Sequence, residues 1–226
     1  MKTAGFDWLF IDMEHNSMDL DMAVQICVAA RACGISPIVR VPAFQHFHAT
    51  RVLDGGAQGI VFPHVDDAET AAQLVDFCRY PPNGRRSITG TLPQIDFASI
   101  PIDQAAPAIN DATLLVFMLE SPKAISNVDA IAAVTGVDAL LIGTSDLTME
   151  MGIPGQLEHP DVIAAYEAML AACKKHNKHP GMGGIYQPDL LQKYIGMGVK
   201  LILAGSDLSL LMSAGKARVA DIRAAQ

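Results

Sequence analysis

Residues 114–120 read Leu-Leu-Val-Phe-Met-Leu-Glu, six apolar side chains followed by one carboxylate. Strands that are apolar on both faces are typical of parallel sheets covered by helices. The run also has the length of a strand and is too short for an ordinary helix. It therefore predicts a buried parallel strand with Glu120 at its carboxyl end.

Similar runs recur along the chain. Including the first, they are residues 7–12, 36–41, 59–65, 114–120, 139–144, 179–185 and 201–206. Ala-rich stretches with helical periodicity lie between most of them, at residues 20–32, 68–78, 126–134, 161–176 and 188–197. Strands that alternate with helices form βαβ units around a parallel sheet. The fold class is therefore α/β.

Seven strands are one fewer than the eight of a TIM (β/α)8 barrel. We expect such a barrel without its first βα unit, because Met1 precedes a strand by only a few residues. The 226 residues suit a single barrel domain spanning 1–226. An open doubly wound sheet is the alternative and needs no eighth strand.

Residues 80–110 interrupt the alternation and are dense in Pro, Gly, Thr and Ser. Long connections inside compact domains are usually functional. We expect an active-site loop here, with residues 89–107 influencing which second substrate is accepted.

Composition excludes several classes of partner. The formal net charge of -8 disfavours nucleic acid, which calls for clustered Lys and Arg. The chain has no apolar run of the ~20 residues that span a bilayer and no secretory leader pattern, so no membrane is expected. Its four cysteines lack C-x-x-C spacing, which favours a reducing compartment. The predicted location is cytoplasmic.

Polar residues follow the ends of several predicted strands. They are Asp12, Glu14 and His15, then Arg40, Glu120, Ser145 with Asp146, and Asp207. In parallel α/β folds these carboxyl ends meet at one edge, where chemistry is placed. Carboxylates without cysteine suit a hard cation such as Mg²⁺ or Mn²⁺. Glu120 and Asp146 are the predicted ligand pair.

The other strand-end residues suit enolate chemistry. A metal can polarise a carbonyl, and Arg40 can hold the charge of the enolate that develops. His15 is the natural proton acceptor near neutral pH. The backbone N–H groups of residues 143–146 are predicted to receive a substrate carboxylate.

Several motifs, in this order, resemble the HpcH/HpaI aldolase family, which includes 4-hydroxy-2-oxoheptanedioate and 2-dehydro-3-deoxyglucarate aldolases. They are IDMEH (11–15), VR (39–40), LDGGAQG (53–59), RYPPNGRR (79–86), LESP (119–122), GTSDL (143–147) and MG (151–152). Each motif alone is weak, but their combination across the chain is specific.

The resemblance implies a TIM barrel and a homo-oligomer, a trimer or a hexamer, in which the last helix is exchanged between subunits. It also implies a class II aldolase that uses Mg, Mn or Co. The substrates would be a 2-oxo acid, pyruvate or hydroxypyruvate, and an aldehyde, joined in or released from a 4-hydroxy-2-oxo acid. The implied roles are His15 as base, Arg40 as transition-state stabiliser, Glu120 and Asp146 as metal ligands, Ser145 and Asp146 as contacts to the substrate carboxylate, and Asp54 as the acid that raises the basicity of His15.

Asp54 conflicts with the pattern of elements, because it ends a predicted helix and should lie at the opposite face of its own barrel. Either a neighbouring subunit supplies it or another acid is the partner of His15. Asp12 is the other candidate partner for His15.

The chain also departs from the resemblance. Met118 stands where many members have Gln, and Ser87 replaces a usual Gly. A thioether cannot hydrogen-bond substrate as an amide does. We expect altered substrate preference or reduced activity.

Other assignments stay open. Glu14 and Asp207 are supporting groups or solvated turn carboxylates, and His64 is interpreted as a strand-end turn residue. A class I aldolase would need a desolvated lysine at a strand end. The alternative functions are an acyl-CoA lyase of the citrate lyase β or malyl-CoA lyase type, and a lapsed homologue that only binds oxo acids.

Overall fold

The computed structural model describes residues 1–42 and 44–225. Within them one parallel sheet contains seven strands in sequential order. They are β1 (Trp8–Asp12), β2 (Ser36–Arg40), β3 (Gly59–Phe62), β4 (Leu114–Leu119), β5 (Ala139–Gly143), β6 (His179–Gly183) and β7 (Leu201–Ile202). All seven predicted strands are confirmed, the last as only two residues.

Helices connect the strands. They are α1 (Leu20–Ala32), α2 (His46–Asp54), α3 (Ala68–Cys78), α4 (Ile102–Ala112), α5 (Pro122–Ser126), α6 (Val128–Ala133), α7 (Thr144–Glu150), α8 (Pro160–His176), α9 (Pro188–Met197) and α10 (Asp207–Ala224), with 3-10 turns at Lys2–Ala4 and Pro93–Ile95. The predicted helix at 126–134 is interrupted at Asn127, which caps both α5 and α6.

The sequential strand order confirms the barrel prediction. A doubly wound sheet reverses its strand order part-way, whereas a barrel adds each strand beside the previous one. In the described residues β7 pairs only with β6 and β1 only with β2, so the sheet is a curled barrel wall without an eighth strand. The doubly wound alternative is wrong.

Two cores lie on opposite faces of the sheet. The larger packs the sheet against the helices and includes Leu115, Phe117 and Ile142. The smaller lies inside the curl and is formed by alternate residues of β2 to β5, among them Val116 and Leu141. Because side chains alternate along a strand, each strand has one set of residues that points into the barrel.

The segment at 80–110, predicted as an active-site loop, does not lie at the polar strand ends of its own barrel. It contains α4 and connects a helix to a strand, so it lies at the amino ends of the strands. Gln94 Nε2 donates to the Ala57 carbonyl, just after α2, at 3.0 Å, and Asp96 pairs at 3.3 Å with Arg31 in the last turn of α1; both helices return to that face. Residues 89–107 therefore lie at the end of the barrel remote from the polar strand ends.

The last helix, α10, lies on the surface, and all of its residues are exposed. Its exposed apolar side chains include Leu208, Leu211 and Ile222, at 65, 71 and 55%. No helix in residues 1–42 and 44–225, α10 included, has the length and apolar content to cross a bilayer.

Candidate active site

Strand alternation brings the polar residues to one end of the barrel interior. Trp8 and Phe10 of β1 face the inner core, so Asp12 continues the same face at the strand's carboxyl end. Val116 and Met118 lead to Glu120 in the same way. The residues that precede each polar group thus determine where it points.

Arg40 and Asp12 form the centre of this end. The two residues are paired in register across β1 and β2. Arg40 Nε and Nη2 donate to the two carboxylate oxygens of Asp12 at 2.9 and 2.7 Å. Burial opposes ionisation of Asp12, but the hydrogen bonds and charge of Arg40 outweigh it and lower the pKa of this carboxyl. A two-point pair of this kind holds a guanidinium plane in one orientation.

The remaining edge of Arg40 faces two other side chains. Nη1 lies 2.9 Å from Glu14 Oε2 and 3.9 Å from the sulfur of Met118. The contact with Glu14 is an ion pair without hydrogen-bond geometry. The buried Oε2 of Glu14 accepts no hydrogen bond from the described residues. Met118 therefore lies at the arginine, where a glutamine would supply an amide.

Glu120 is the most buried carboxylate of the site, at 2% exposure. Its Oε2 accepts the main-chain N–H of His64 at 2.8 Å. Burial raises the pKa of this carboxyl, His64 lowers it, and the negative charges of Asp146 and Glu14 raise it, with a net increase. Gly143, at the end of β5, faces the same carboxylate and leaves no room for a side chain.

Ser145 and Asp146 lie in the first turn of α7, directly after β5. The buried Thr144 anchors this turn, donating to the Gly183 carbonyl at 2.7 Å and sharing a hydrogen bond with the Tyr166 hydroxyl at 2.8 Å. Asp146 is half-buried and Ser145 is exposed. The turn thus presents both side chains at the barrel mouth beside Glu120.

His15 lies at the rim, with 64% of its side chain exposed. Its Nε2 is 3.9 Å from Glu14 Oε2. Asp12, the second candidate for its orienting acid, is instead bound to Arg40 and accepts the main-chain N–H of Glu14 at 3.0 Å. In the described residues the Asp12 carboxylate accepts hydrogen bonds from Arg40 and from the Glu14 main chain and has no ion pair with the His15 ring, so its role as the partner of His15 stays a prediction.

Asp54 lies far from this constellation within the chain, as its position at the end of α2 predicted. Its carboxylate pairs with Arg86 Nη2 at 2.6 Å. Arg86 is buried and stacks over the Tyr80 ring at 4.5 Å, and its Nε and Nη1 donate no hydrogen bond to the described residues. The arginine fixes Asp54 at the surface of the opposite face.

The prediction that polar residues at strand ends form the site identified most of the cluster. It gave no firm role at the site to two residues, Glu14 and His64. Glu14 contacts Arg40, and its Oε1 lies 3.5 Å from His64 Nε2. His64 also reaches Glu120 through its ring, with Nδ1 3.3 Å from Oε2. The signal was present, because His64 follows β3 by two residues. Asp207, by contrast, is exposed at the start of α10.

The donor set fits a divalent cation that takes further oxygens from substrate and water. The negative charges of Glu14 and Asp146 act on the Glu120 carboxylate, and the Arg40 guanidinium, which contacts Glu14, is already paired with Asp12. In the described residues no three His, Cys, Asp or Glu side chains are grouped to hold a metal by themselves. A site that keeps several waters and substrate oxygens is the usual arrangement for Mg²⁺.

Comparison with known protein families identifies the family of this chain. The model of one family, HpcH/HpaI aldolase/citrate lyase, matches residues 1–214. The chain belongs to this family.

The aldolase relatives agree with one another. This HpcH/HpaI chain is 42% identical over 214 residues to the 4-hydroxy-4-methyl-2-oxoglutarate aldolase tasA of Hapsidospora irregularis, covering 93% of this chain and 79% of that one. It is 35% identical over 219 residues to the hydroxypyruvate/pyruvate aldolase of Roseobacter denitrificans, covering 96% and 84%. The HpcH/HpaI aldolase structure from Desulfitobacterium hafniense DCB-2 superposes with a TM-score of 0.91 at 30% identity, covering 98% and 85%. The chain is an aldolase, a carbon–carbon lyase that acts on small molecules.

Proposed function

We propose that this chain is a metal-dependent class II aldolase that cleaves and forms 4-hydroxy-2-oxo acids through the enolate of pyruvate or hydroxypyruvate. The observation that carries the proposal is the position of Glu120 near both Asp146 and an Arg40 that Asp12 holds in one orientation. The named substrates of the two relatives above belong to the same chemical class.

The proposed ligands of the divalent cation, Mg, Mn or Co, are Glu120 and Asp146. The bound cation would supply Lewis-acid polarisation of the 2-oxo group. Glu120 suits this role because its buried carboxylate is costly to ionise without a nearby positive charge. Ser145 and Asp146, in the first turn of α7, are proposed to bind the substrate carboxylate.

Arg40 is proposed to stabilise the enolate. Nε and Nη2 are bound to Asp12, so the Nη1 edge, which faces Glu14 and Met118, is the part that can donate to an enolate oxygen. The Asp12 pair keeps this donor in place before the reaction, so no reorganisation is required as charge develops.

His15 is proposed as the base that takes the proton of the 4-hydroxyl group during cleavage and returns it during synthesis. Its exposed position at the rim suits a group that meets the second substrate, which enters from solvent. Proton transfer at that oxygen breaks the bond between C3 and C4 and leaves the electron pair on the enolate.

Asp54 can assist His15 only from another copy of the chain. It lies at the opposite face of its own barrel and is held at the surface by Arg86. We propose a homo-oligomer, a trimer or a hexamer, in which this face meets the site of a neighbour. We propose that α10 is exchanged between neighbouring subunits, each of which is otherwise a single barrel domain. Its exposed apolar residues are too many for a helix that contacts only water.

Complementation tests this arrangement. His15→Ala and Asp54→Ala are each expected to be nearly inactive as pure proteins. Mixed oligomers from co-expression regain activity if one subunit contributes Asp54 to a site that retains His15. Mixed oligomers that remain as inactive as the parents contradict the arrangement.

A class I mechanism receives little support. Lys123 is the lysine nearest to Glu120 along the chain, but it is 61% exposed and faces Asp66 and Asp67 at 3.8 and 3.6 Å. A Schiff-base lysine needs a desolvated or cationic surrounding that makes its amine neutral.

A panel assay tests the proposal. Retro-aldol turnover is measured on several 4-hydroxy-2-oxo acids with wild type and His15→Ala, before and after removal of metal by EDTA. We expect turnover that EDTA abolishes and Mn²⁺ or Mg²⁺ restores, and a loss of about 10²–10⁴ in His15→Ala. Turnover indifferent to EDTA, or trapping of the substrate by borohydride, contradicts it. Binding of pyruvate without turnover indicates a lapsed homologue, and cleavage of acyl-CoA substrates alone indicates the lyase alternative.

A further inference from the structure

His64 adopts a backbone conformation that side chains rarely take. Its φ is +52°, in the left-handed region that favours glycine. Non-glycine residues persist there when their surroundings require it, and such positions concentrate at functional sites. The conformation occurs two residues after the end of β3, at the barrel end that contains Glu120 and Arg40.

This conformation lets one residue contact two carboxylates. The main-chain N–H of His64 donates to Glu120 Oε2 at 2.8 Å. The ring extends across the site, with Nδ1 3.3 Å from the same oxygen and Nε2 3.5 Å from Glu14 Oε1. The ring is 57% exposed, whereas the Glu120 and Glu14 side chains are 2% and 15% exposed. His64 thus covers the two carboxylates from the solvent side.

The number of donors matches the number of carboxylates. A neutral imidazole has one N–H, and the main chain supplies a second. Glu120 receives the main-chain donor, and the ring donor available to Glu14 is Nε2, which lies 3.5 Å from Glu14 Oε1 without hydrogen-bond geometry. The other charged contacts of Glu14 are Arg40 at 2.9 Å and His15 at 3.9 Å, and its buried Oε2 accepts no hydrogen bond from the described residues.

We propose that His64 is a positioning residue of the metal site, which orients Glu120 and Glu14 toward the cation through its main-chain N–H and its ring. Glu120 would then keep its other oxygen for the cation, and Glu14 would keep Oε2, which accepts no hydrogen bond from the described residues, for a further donor. This inference rests on the proposed metal-dependent function. Groups that orient the ligands of a metal commonly change its affinity by about 10–100-fold.

The left-handed backbone of His64 allows a substitution that removes the ring and keeps the main-chain N–H. His64→Gly keeps the conformation and the main-chain N–H and removes only the ring, because glycine adopts positive φ without strain. His64→Asn keeps side-chain donors in a residue type that tolerates the same region. Asn177→Gly is the matched control, since Asn177 also has a φ of +54° but caps α8 away from the site.

The experiment measures Mn²⁺ affinity of the full chain by calorimetry, without substrate. We expect the dissociation constant of His64→Gly to rise about tenfold, that of His64→Asn to lie between it and wild type, and that of Asn177→Gly to equal wild type. At saturating Mn²⁺ the kcat of His64→Gly should approach that of wild type.

Three results would overturn the proposal in distinguishable ways. Wild-type protein that binds no Mn²⁺ overturns both the metal-dependent function and the role of His64. Wild-type protein that binds Mn²⁺ while His64→Gly binds it equally well or more tightly overturns the role of His64 alone. A lower affinity in Asn177→Gly as well would show a general effect of backbone substitution and also refute it.

Discussion

Replacing Gly143 with alanine tests the metal site through a single methyl group. Gly143 has a φ of -83°, which alanine adopts readily, so the change adds no backbone strain. The added Cβ would lie 2.8 Å from Cγ and 2.9 Å from Cδ of Glu120, and closer still to Oε1. The perturbation is therefore steric and is directed at one carboxylate.

The magnitude follows from these distances. Ordinary van der Waals contact begins at 3.4 Å, so Glu120 Cγ must move by about 0.6 Å and the oxygen by more. Glu120 has little free space, since it is only 2% exposed. Mg²⁺ requires oxygens at about 2.0–2.1 Å in near-octahedral positions, and such a shift removes one of them. We expect Mn²⁺ affinity to fall at least tenfold and kcat/KM to fall about 100-fold.

The assay compares Mn²⁺ affinity and retro-aldol kcat/KM in Gly143→Ala and Gly196→Ala. Gly196 is the matched control, because it lies in α9 and its added Cβ would meet no atom within 4 Å. Gly196→Ala should keep full activity and gain up to about 1 kcal/mol of stability. The reasoning is refuted if Gly143→Ala binds Mn²⁺ and turns over substrate as wild type does, since Glu120 would then not be a ligand in this position.

Two further predictions concern the charges of the site. Arg40→Lys should lower kcat/KM by about 10²–10³, because an ammonium cannot reproduce the two-point pair with Asp12 that orients the donor; steady-state kinetics checks this, and kinetics equal to wild type would remove Arg40 from the mechanism. Glu120→Gln should raise the melting temperature of metal-free protein at neutral pH, because a folded-state pKa raised above the unfolded value makes ionised Glu120 destabilising as pH rises. The gain in melting temperature should disappear below a pH of about 4, because Glu120 is then protonated in both the folded and the unfolded state. Scanning calorimetry across this pH range checks the prediction. A lower melting temperature for the variant than for wild type at pH 7 would contradict it.

Local patterns were sufficient for the elements that position the site. The apolar runs predicted all seven strands because strands that are buried on both faces must be apolar throughout. The periodicity of α1, α3 and α9 gave their bounds without error. Glu120 and Arg40 could also be singled out, because a charged residue at the end of an apolar strand is exceptional. Their roles as metal ligand and enolate stabiliser stay predictions.

The partners of these residues could not be read from the sequence. Asp12 precedes His15 by three residues, yet its carboxylate binds Arg40, which lies beside it only because β1 and β2 pair in register. Residues 80–110 have the composition of an active-site loop, but as a helix-to-strand connection they return to the opposite face. Composition carries no information about which end of the barrel a segment occupies.

The sequence by itself determined the alternation of strands and helices and the carboxylates at the strand ends, because hydrophobic periodicity is a local property of the chain. Only the tertiary structure decided that His64 spans Glu120 and Glu14 and that Asp54 is held by Arg86 at the far face. These contacts join residues from separate strands and connections. They depend on sheet register, on a left-handed backbone at His64 and on the curl of the barrel wall, which arise only when the whole chain packs.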